Sequence, residues 1–170
     1  MVYSAVPPFL TKAGFIEYAI LTKNRRNRMN FIAKTFDELT AREVYEICRS
    51  RTDVFVVEQE IICPEIDGLD YDCLHCFLWS EGRVVAYLRA FYYKEYIKIG
   101  RVLTTTHGKG LGRELMEKSL EVIPKKLGQR DYILHAQTYA EGYYKKFGFE
   151  TCSDVFMEDG IPHVKMIRKG

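Results

Sequence analysis

Between residues 100 and 116 the chain reads GRVLTTTHGKGLGRELM, an extended run that enters three alternate glycines and leaves as an amphipathic helix. This junction constrains the fold more than any other stretch, because it fixes a strand, a tight turn and a helix whose N-terminus faces outward. Gly108, Gly110 and Gly112 let backbone come close to a ligand. The free N–H groups at the helix start then converge on one point with the helix dipole behind them. That is an anion site suited to a pyrophosphate. A Walker loop is excluded because no Gly-Lys-[Ser/Thr] ends the run. The dinucleotide fingerprint departs too: its third glycine is missing, and antiparallel strands precede the loop instead of a βαβ unit. For the glycines alone, a plain helix-entry turn is the bland alternative.

The flanking patterns predict the rest. A strand is expected at residues 31–34. Thr40 with Glu43 makes a capping box for a helix carrying Val44, Ile47 and Cys48, followed by a second helical stretch through Val54, Phe55 and Val57. Strands follow at 74–80, 83–92 and 97–105, the first two joined by a tight hairpin at Glu81 and Gly82. A helix is predicted over 111–125 and a strand over 132–137. A short helix at 141–147 and strands at 149–157 and 163–167, joined through Asp159 and Gly160, complete the order. Antiparallel strands before a βαβ crossover give an α/β fold with a mixed sheet.

At 170 residues the chain fits one domain with a sizeable core. Residues 1–28 differ in composition: two prolines, a short apolar patch, and a basic run ending at Arg28, just before Met29. They read as a disordered extension, a weak targeting peptide, or residues upstream of a start at Met29. The last is the favoured reading, which leaves 29–170 as the domain. A net charge of +2 argues against a nucleic-acid surface or an anionic membrane partner, and no apolar run approaches the length of a membrane span. Five cysteines, an odd number, do not form a secreted disulfide framework, so a cytoplasmic location is expected. Cys73 and Cys76 flank a strand-like stretch on which positions three apart face opposite sides, so no metal site is expected there.

Two segments carry a resemblance. HGKGLG, residues 107–112, resembles the [Gln/Arg]-x-x-Gly-x-[Gly/Ala] coenzyme A loop of the GNAT N-acetyltransferase superfamily, with His107 at the position of Gln or Arg. AEGYYKKFGF, residues 140–149, resembles the superfamily's short helix that carries the catalytic tyrosine, here Tyr144. RTDVFVVEQ (51–59), PEIDGLD (64–70) and EDGIPHVKM (158–166) are similar to blocks of the ElaA-type members. The resemblance implies the GNAT fold, a twisted sheet of antiparallel and parallel strands with flanking helices. Its two adjacent parallel strands splay, here 97–105 and 132–137, and acetyl-CoA enters between them. It also implies that backbone groups of Val102, Leu103 and Thr104 hold the pantetheine and polarise the acetyl carbonyl. N–H groups from Gly108, Lys109, Gly110, Leu111, Gly112 and Arg113 would hold the pyrophosphate, and Tyr144 would protonate the leaving thiolate.

The acceptor amine must be neutral to attack, so a base is needed. Glu58 is the first candidate, His75 the second and His163 the third, each also an expected acceptor contact. The bland alternatives are an ordinary ion pair for Glu58 and a packed structural role for each histidine. The acidic loop with Glu65, Asp67 and Asp70 suggests attraction of a cationic polyamine or lysine-like amine, against the simpler reading of a solvated loop. The expected partner is a small-molecule amine or a protein amino group, and a homodimer is compatible with the sequence. Two rivals stand beside acetyl transfer: an acyl-homoserine-lactone synthase-like acyltransferase, and a sensor that binds acyl-CoA without turnover. Tyr144 favours an enzyme.

Overall fold

Thr40 stops one segment and starts the next. Its backbone N–H donates to the Glu43 carboxylate at 2.8 Å, and its Oγ1 accepts from the Glu43 N–H at 3.2 Å, a reciprocal cap for helix α1, Ala41–Arg51. The computed structural model describes residues 29–61 and 64–170, and the expectation for residues 1–28 lies outside them. Before α1, strand β1 spans Asn30–Thr35. After it the helix widens without a break into a π-helical stretch, Thr52–Glu58, in which the Gln59 N–H reaches back five residues to the Val54 carbonyl at 3.0 Å.

Strands β2 (Leu74–Ser80), β3 (Arg83–Tyr93) and β4 (Tyr96–Thr104) form an antiparallel meander. Glu81 and Gly82 both have positive φ, 51° and 80°, as a two-residue primed turn requires. Helix α2 (Leu111–Leu127) crosses to β5 (Tyr132–Gln137), which lies parallel to β4. Helix α3 is Glu141–Lys145, shorter than expected. Beyond Lys145 the Phe147 and Gly148 N–H groups bond three residues back, tightening the chain into Gly148 at φ 80°.

The expected strand 149–157 is two strands, β6 (Glu150–Thr151) and β7 (Phe156–Glu158), both paired with β8 (Ile161–Arg168). The break has a local cause. The Ser153 side-chain oxygen takes the Lys165 backbone N–H at 2.8 Å, replacing a ladder carbonyl and releasing the chain from the sheet. The eight-stranded sheet runs β1-β2-β3-β4-β5-β8-β6, with β7 beside β8.

Period-two alternation gives the sheet two buried faces. On one face Leu74, Cys76, Leu88, Ile97 and Ile99 pack under Leu115, Met116 and Ile123 of α2, together with Leu134, Ala136 and Tyr144. On the other, Phe77, Tyr87 and Leu103 pack under Ile47 of α1 and Val54.

Candidate active site

The two parallel strands hold each other at only two positions, Ile97 opposite Tyr132 and Lys98 opposite Ile133, and then part. A bulge in β4 accompanies the parting. Tyr87 pairs with Leu103 but Arg89 pairs with Gly100, so Leu88 faces both Arg101 and Val102 across the ladder. Arg101 takes φ 54° there, a conformation that a non-glycine residue occupies only when its surroundings hold it. Past Lys98 the β5-facing side of β4 has no strand partner. Backbone polar groups there call for another partner, and an extended chain with its own amides can supply one in the manner of an added strand.

A cavity of about 610 Å³ fills this opening. Val102, Leu103 and Thr104 border one wall, while Gly108, Gly110, Leu111, Gly112 and Arg113 border the mouth. Lys109 is exposed on the loop and does not border the cavity. Gly108 and Gly110 sit at φ 77° and 75° with open space where a Cβ would project. A Cβ on residue 112 would lie 2.9 Å from the Tyr143 hydroxyl, so that glycine lets Tyr143 reach the start of α2. The Tyr143 Oη is buried with no hydrogen-bond partner among the described residues, and burial raises its pKa to about 12. A buried hydroxyl left unpaired beside a helix N-terminus and two open glycines fits a polar phosphate-bearing ligand.

Tyr144 also borders the cavity and is nearly buried. Burial first, then Tyr143 and Tyr139, pushes its phenol well above the ordinary range, so it stays protonated at neutral pH.

The expected bases fall in three different places. Glu58 ends the π-helical stretch, half-exposed, and accepts from His107 Nε2 at 3.0 Å. It does not border the cavity, although His107 does. His75 is buried in the sheet, with Nδ1 at 2.8 Å from the Tyr87 hydroxyl and Nε2 at 2.9 Å from the Asp70 carbonyl. Both ring nitrogens are occupied, burial lowers its pKa, and it borders a separate apolar pocket under α1. The structure does not bring His75 to Tyr144. His163 does border the cavity, its Nδ1 at 2.8 Å from the Ile161 carbonyl.

Two further residues come to the cavity. His135 on β5 and Glu158 on β7 both border it, with His135 Nδ1 at 2.9 Å from Glu158 Oε2. The signal in the sequence was the alternation on β5, where His135 and Gln137 interleave with buried Leu134 and Ala136. Polar residues at period two on an otherwise buried strand mark a face open to a ligand.

The acidic loop is already neutralised. Buried Arg51 donates from Nε to Glu65 at 2.5 Å and from Nη1 to Asp70 at 2.7 Å. Arg89 pairs with Asp67 and, at 2.9 Å, with Asp70. Arg101 closes on Glu65 at 2.9 Å and Asp67 at 3.4 Å. Three guanidinium groups thus engage all three carboxylates, which overturns the expectation that the loop attracts a cationic acceptor. The loop's charges pin it to the sheet and hold Arg101 in its bulge.

No described helix is long and apolar enough to cross a membrane. The model of an acetyltransferase (GNAT) domain matches residues 33–169. A UPF0039 protein of Schizosaccharomyces pombe is 39% identical over 82% of this chain and 97% of its own length. The protein ElaA of Escherichia coli is 35% identical over 78% of this chain and 91% of its own. Among solved structures, an acyl-CoA N-acyltransferase from Pseudomonas aeruginosa is 36% identical over 82% of this chain and 99% of that one, with a TM-score of 0.78. An acyl-homoserine lactone synthase superposes with a TM-score of 0.66 at 16% identity, a likeness of fold alone. With a family model spanning residues 33–169 and relatives 39% and 35% identical over most of its length, the chain belongs to the GNAT acetyltransferase family.

Proposed function

We propose that the protein transfers the acetyl group of acetyl-CoA directly to a primary amine, on a small molecule or a protein, in the cytoplasm. The supporting observation is that one cavity joins the unpaired side of β4, the glycine loop and Tyr144. Acetyl-CoA supplies the activated thioester. The free backbone edge at Val102–Thr104 binds and orients the pantetheine amides, and an N–H there polarises the acetyl carbonyl. Backbone N–H groups of the turn at Gly108–Arg113 hold the pyrophosphate, a task for which the side chain at His107 is not required. Tyr144 holds a proton for the leaving sulfur. A thiolate formed in the same desolvated site is raised by the same burial, which keeps donor and acceptor matched despite the high pKa of the phenol.

Calorimetric titration of acetyl-CoA and coenzyme A into wild type and Gly110→Asp tests this. The substitution places a carboxylate where the pyrophosphate is held, at a position with open space but a φ of 75°, so Gly110→Asn, with the same shape and backbone strain and no charge, is the control. Binding to wild type that is lost in the variant is the expected result, and no binding to wild type would remove the proposal. Binding without acetyl transfer to any primary amine would turn the reading to an acyl-CoA sensor.

A further inference from the structure

The acceptor half of the cavity lies on the opposite face of the sheet from Tyr144. Leu134 and Ala136 of β5 pack with Tyr144 in the core under α2. Alternation therefore turns His135 and Gln137 to the other face, just past the point where β4 and β5 part. His135 stands two residues beyond the last paired position, Ile133.

We infer that His135 is the base that takes the proton from the acceptor amine, with Glu158 as its positioning residue. This rests on the proposed acetyl transfer and deepens it. An ionised carboxylate only accepts hydrogen bonds, so His135 Nδ1 carries the proton at the 2.9 Å contact with Glu158 Oε2. That leaves the lone pair on Nε2, which makes no hydrogen bond among the described residues, on a ring that borders the cavity. The hydrogen bond from His135 is the main cause holding the Glu158 pKa down, so the carboxylate stays charged and stabilises the imidazolium that proton uptake creates. Phe156 meets the His135 ring edge to face, with centroids 5.1 Å apart, and fixes its plane.

The other candidates lack one part each. Glu58 does not border the cavity. His75 has both nitrogens occupied. His163, stacked on Phe156, has a backbone carbonyl on Nδ1 and makes no hydrogen bond to a carboxylate, with Glu158 acting on it only through space. The charged and titratable groups around His135 are Glu158 on β7, Asp159 in the following turn, Lys165 directly opposite on β8, His163 on β8 across Phe156, and Lys98 on β4, whose charge acts on Glu158.

The step balances. The acceptor, as the neutral amine, gives one proton to His135 Nε2 and its lone pair forms the N–C bond to the acetyl carbon. The C–S bond then breaks with its pair on sulfur, and Tyr144 gives sulfur a proton. Amide and free thiol leave, and solvent returns a proton to Tyr144 and removes one from His135.

Two measurements on the full chain test the assignment. The first is the imidazole nitrogen NMR spectrum of the ¹⁵N-labelled protein with coenzyme A, with the His135 signals identified by their absence in His135→Gln. An unprotonated Nε2 in the neutral ring is expected, and an Nε2–H tautomer would overturn the proposal whatever the acceptor. The second is thiol release from acetyl-CoA with putrescine, Nα-acetyl-lysine and tyramine. Where any of these is acetylated, His135→Gln should lower kcat/KM by about 100-fold or more. It should also leave only the rise of rate with pH that ionisation of the acceptor amine sets, removing the rise that the imidazole adds, while acetyl-CoA affinity stays within about twofold of wild type. Glu158→Gln should lower the rate and move that rise to lower pH, since the imidazolium loses its counter-charge. A pH profile of unchanged shape in His135→Gln would refute the base. If wild type binds acetyl-CoA but acetylates none of the three, the tautomer alone decides. Failure to bind acetyl-CoA at all counts against the proposed function and not against His135.

Discussion

Arg51 has no exposed side-chain surface, yet it carries a full charge between Glu65 and Asp70. Burying such a group is costly unless every partner is in place, and removing one partner strands the others. Arg51→Ala should therefore lower unfolding stability by about 3–5 kcal/mol, read from urea denaturation, whereas a loss below 1 kcal/mol would mean that the network is solvated. Asp67 supplies the complementary test. Burial alone would raise its pKa, but the Arg89 hydrogen bond, the Leu69 N–H and the charges of Arg89 and Arg101 bring it from 3.8 down to about 2. A carboxyl depressed on folding adds stability that is complete above the unfolded value and disappears as pH falls through the folded one. The difference in Tm between wild type and Asp67→Asn should stay constant at neutral pH and shrink between about pH 4 and pH 2. A difference that widened in acid would contradict the ion pairs. None of this pairing was legible from the sequence, because Arg51, Arg89 and Arg101 lie far along the chain from the acids they meet.

Elements built by local chemistry were legible, and those shaped by distant partners were not. The capping box at Thr40 and Glu43, the hairpin turns at Glu81-Gly82 and Asp159-Gly160, and the limits of β5 all follow from residues within a few positions of one another. The π-helical widening after Arg51 escaped notice because Val54, Phe55 and Val57 fit an α-helical spacing equally well over so short a run. The break between β6 and β7 depends on Ser153 reaching Lys165, and the bulge at Arg101 on Glu65 and Asp67. The cap is also where an element-scale prediction belongs. Thr40→Ala removes the acceptor for the Glu43 N–H and should cost about 1 kcal/mol. That loss should appear as a lower urea midpoint at unchanged slope, because the surface exposed on unfolding is the same. Since α1 runs directly into the π-helical segment, whose Val54 and Phe55 border the cavity, hydrogen exchange should rise first at residues 41–58.

Across the whole molecule, the sheet separates two half-sites that meet only where β4 and β5 part. Its α2 face carries Tyr144, and its opposite face carries His135, His163 and Glu158. The residues of the proposed cofactor half could be named from the sequence because one loop and one short helix carry most of them, each contiguous in sequence, and both border the cavity. The proposed acceptor half draws on β4, β5, β7 and β8, so no single motif announces it. This separation makes the role of Tyr144 testable apart from binding. Its hydroxyl has no hydrogen-bond partner among the described residues, so Tyr144→Phe strands no buried group and should leave Tm nearly unchanged. Acetyl-CoA affinity should also hold if, as proposed, backbone groups on β4 and the glycine turn do the binding. Turnover should fall by about 100-fold or more, the loss of a positioned proton donor in the transition state. Thiol release and calorimetry on the same variant separate these quantities. A parallel loss of affinity and rate would make Tyr144 a packing residue of the cofactor wall, and the sulfur would then take its proton from solvent.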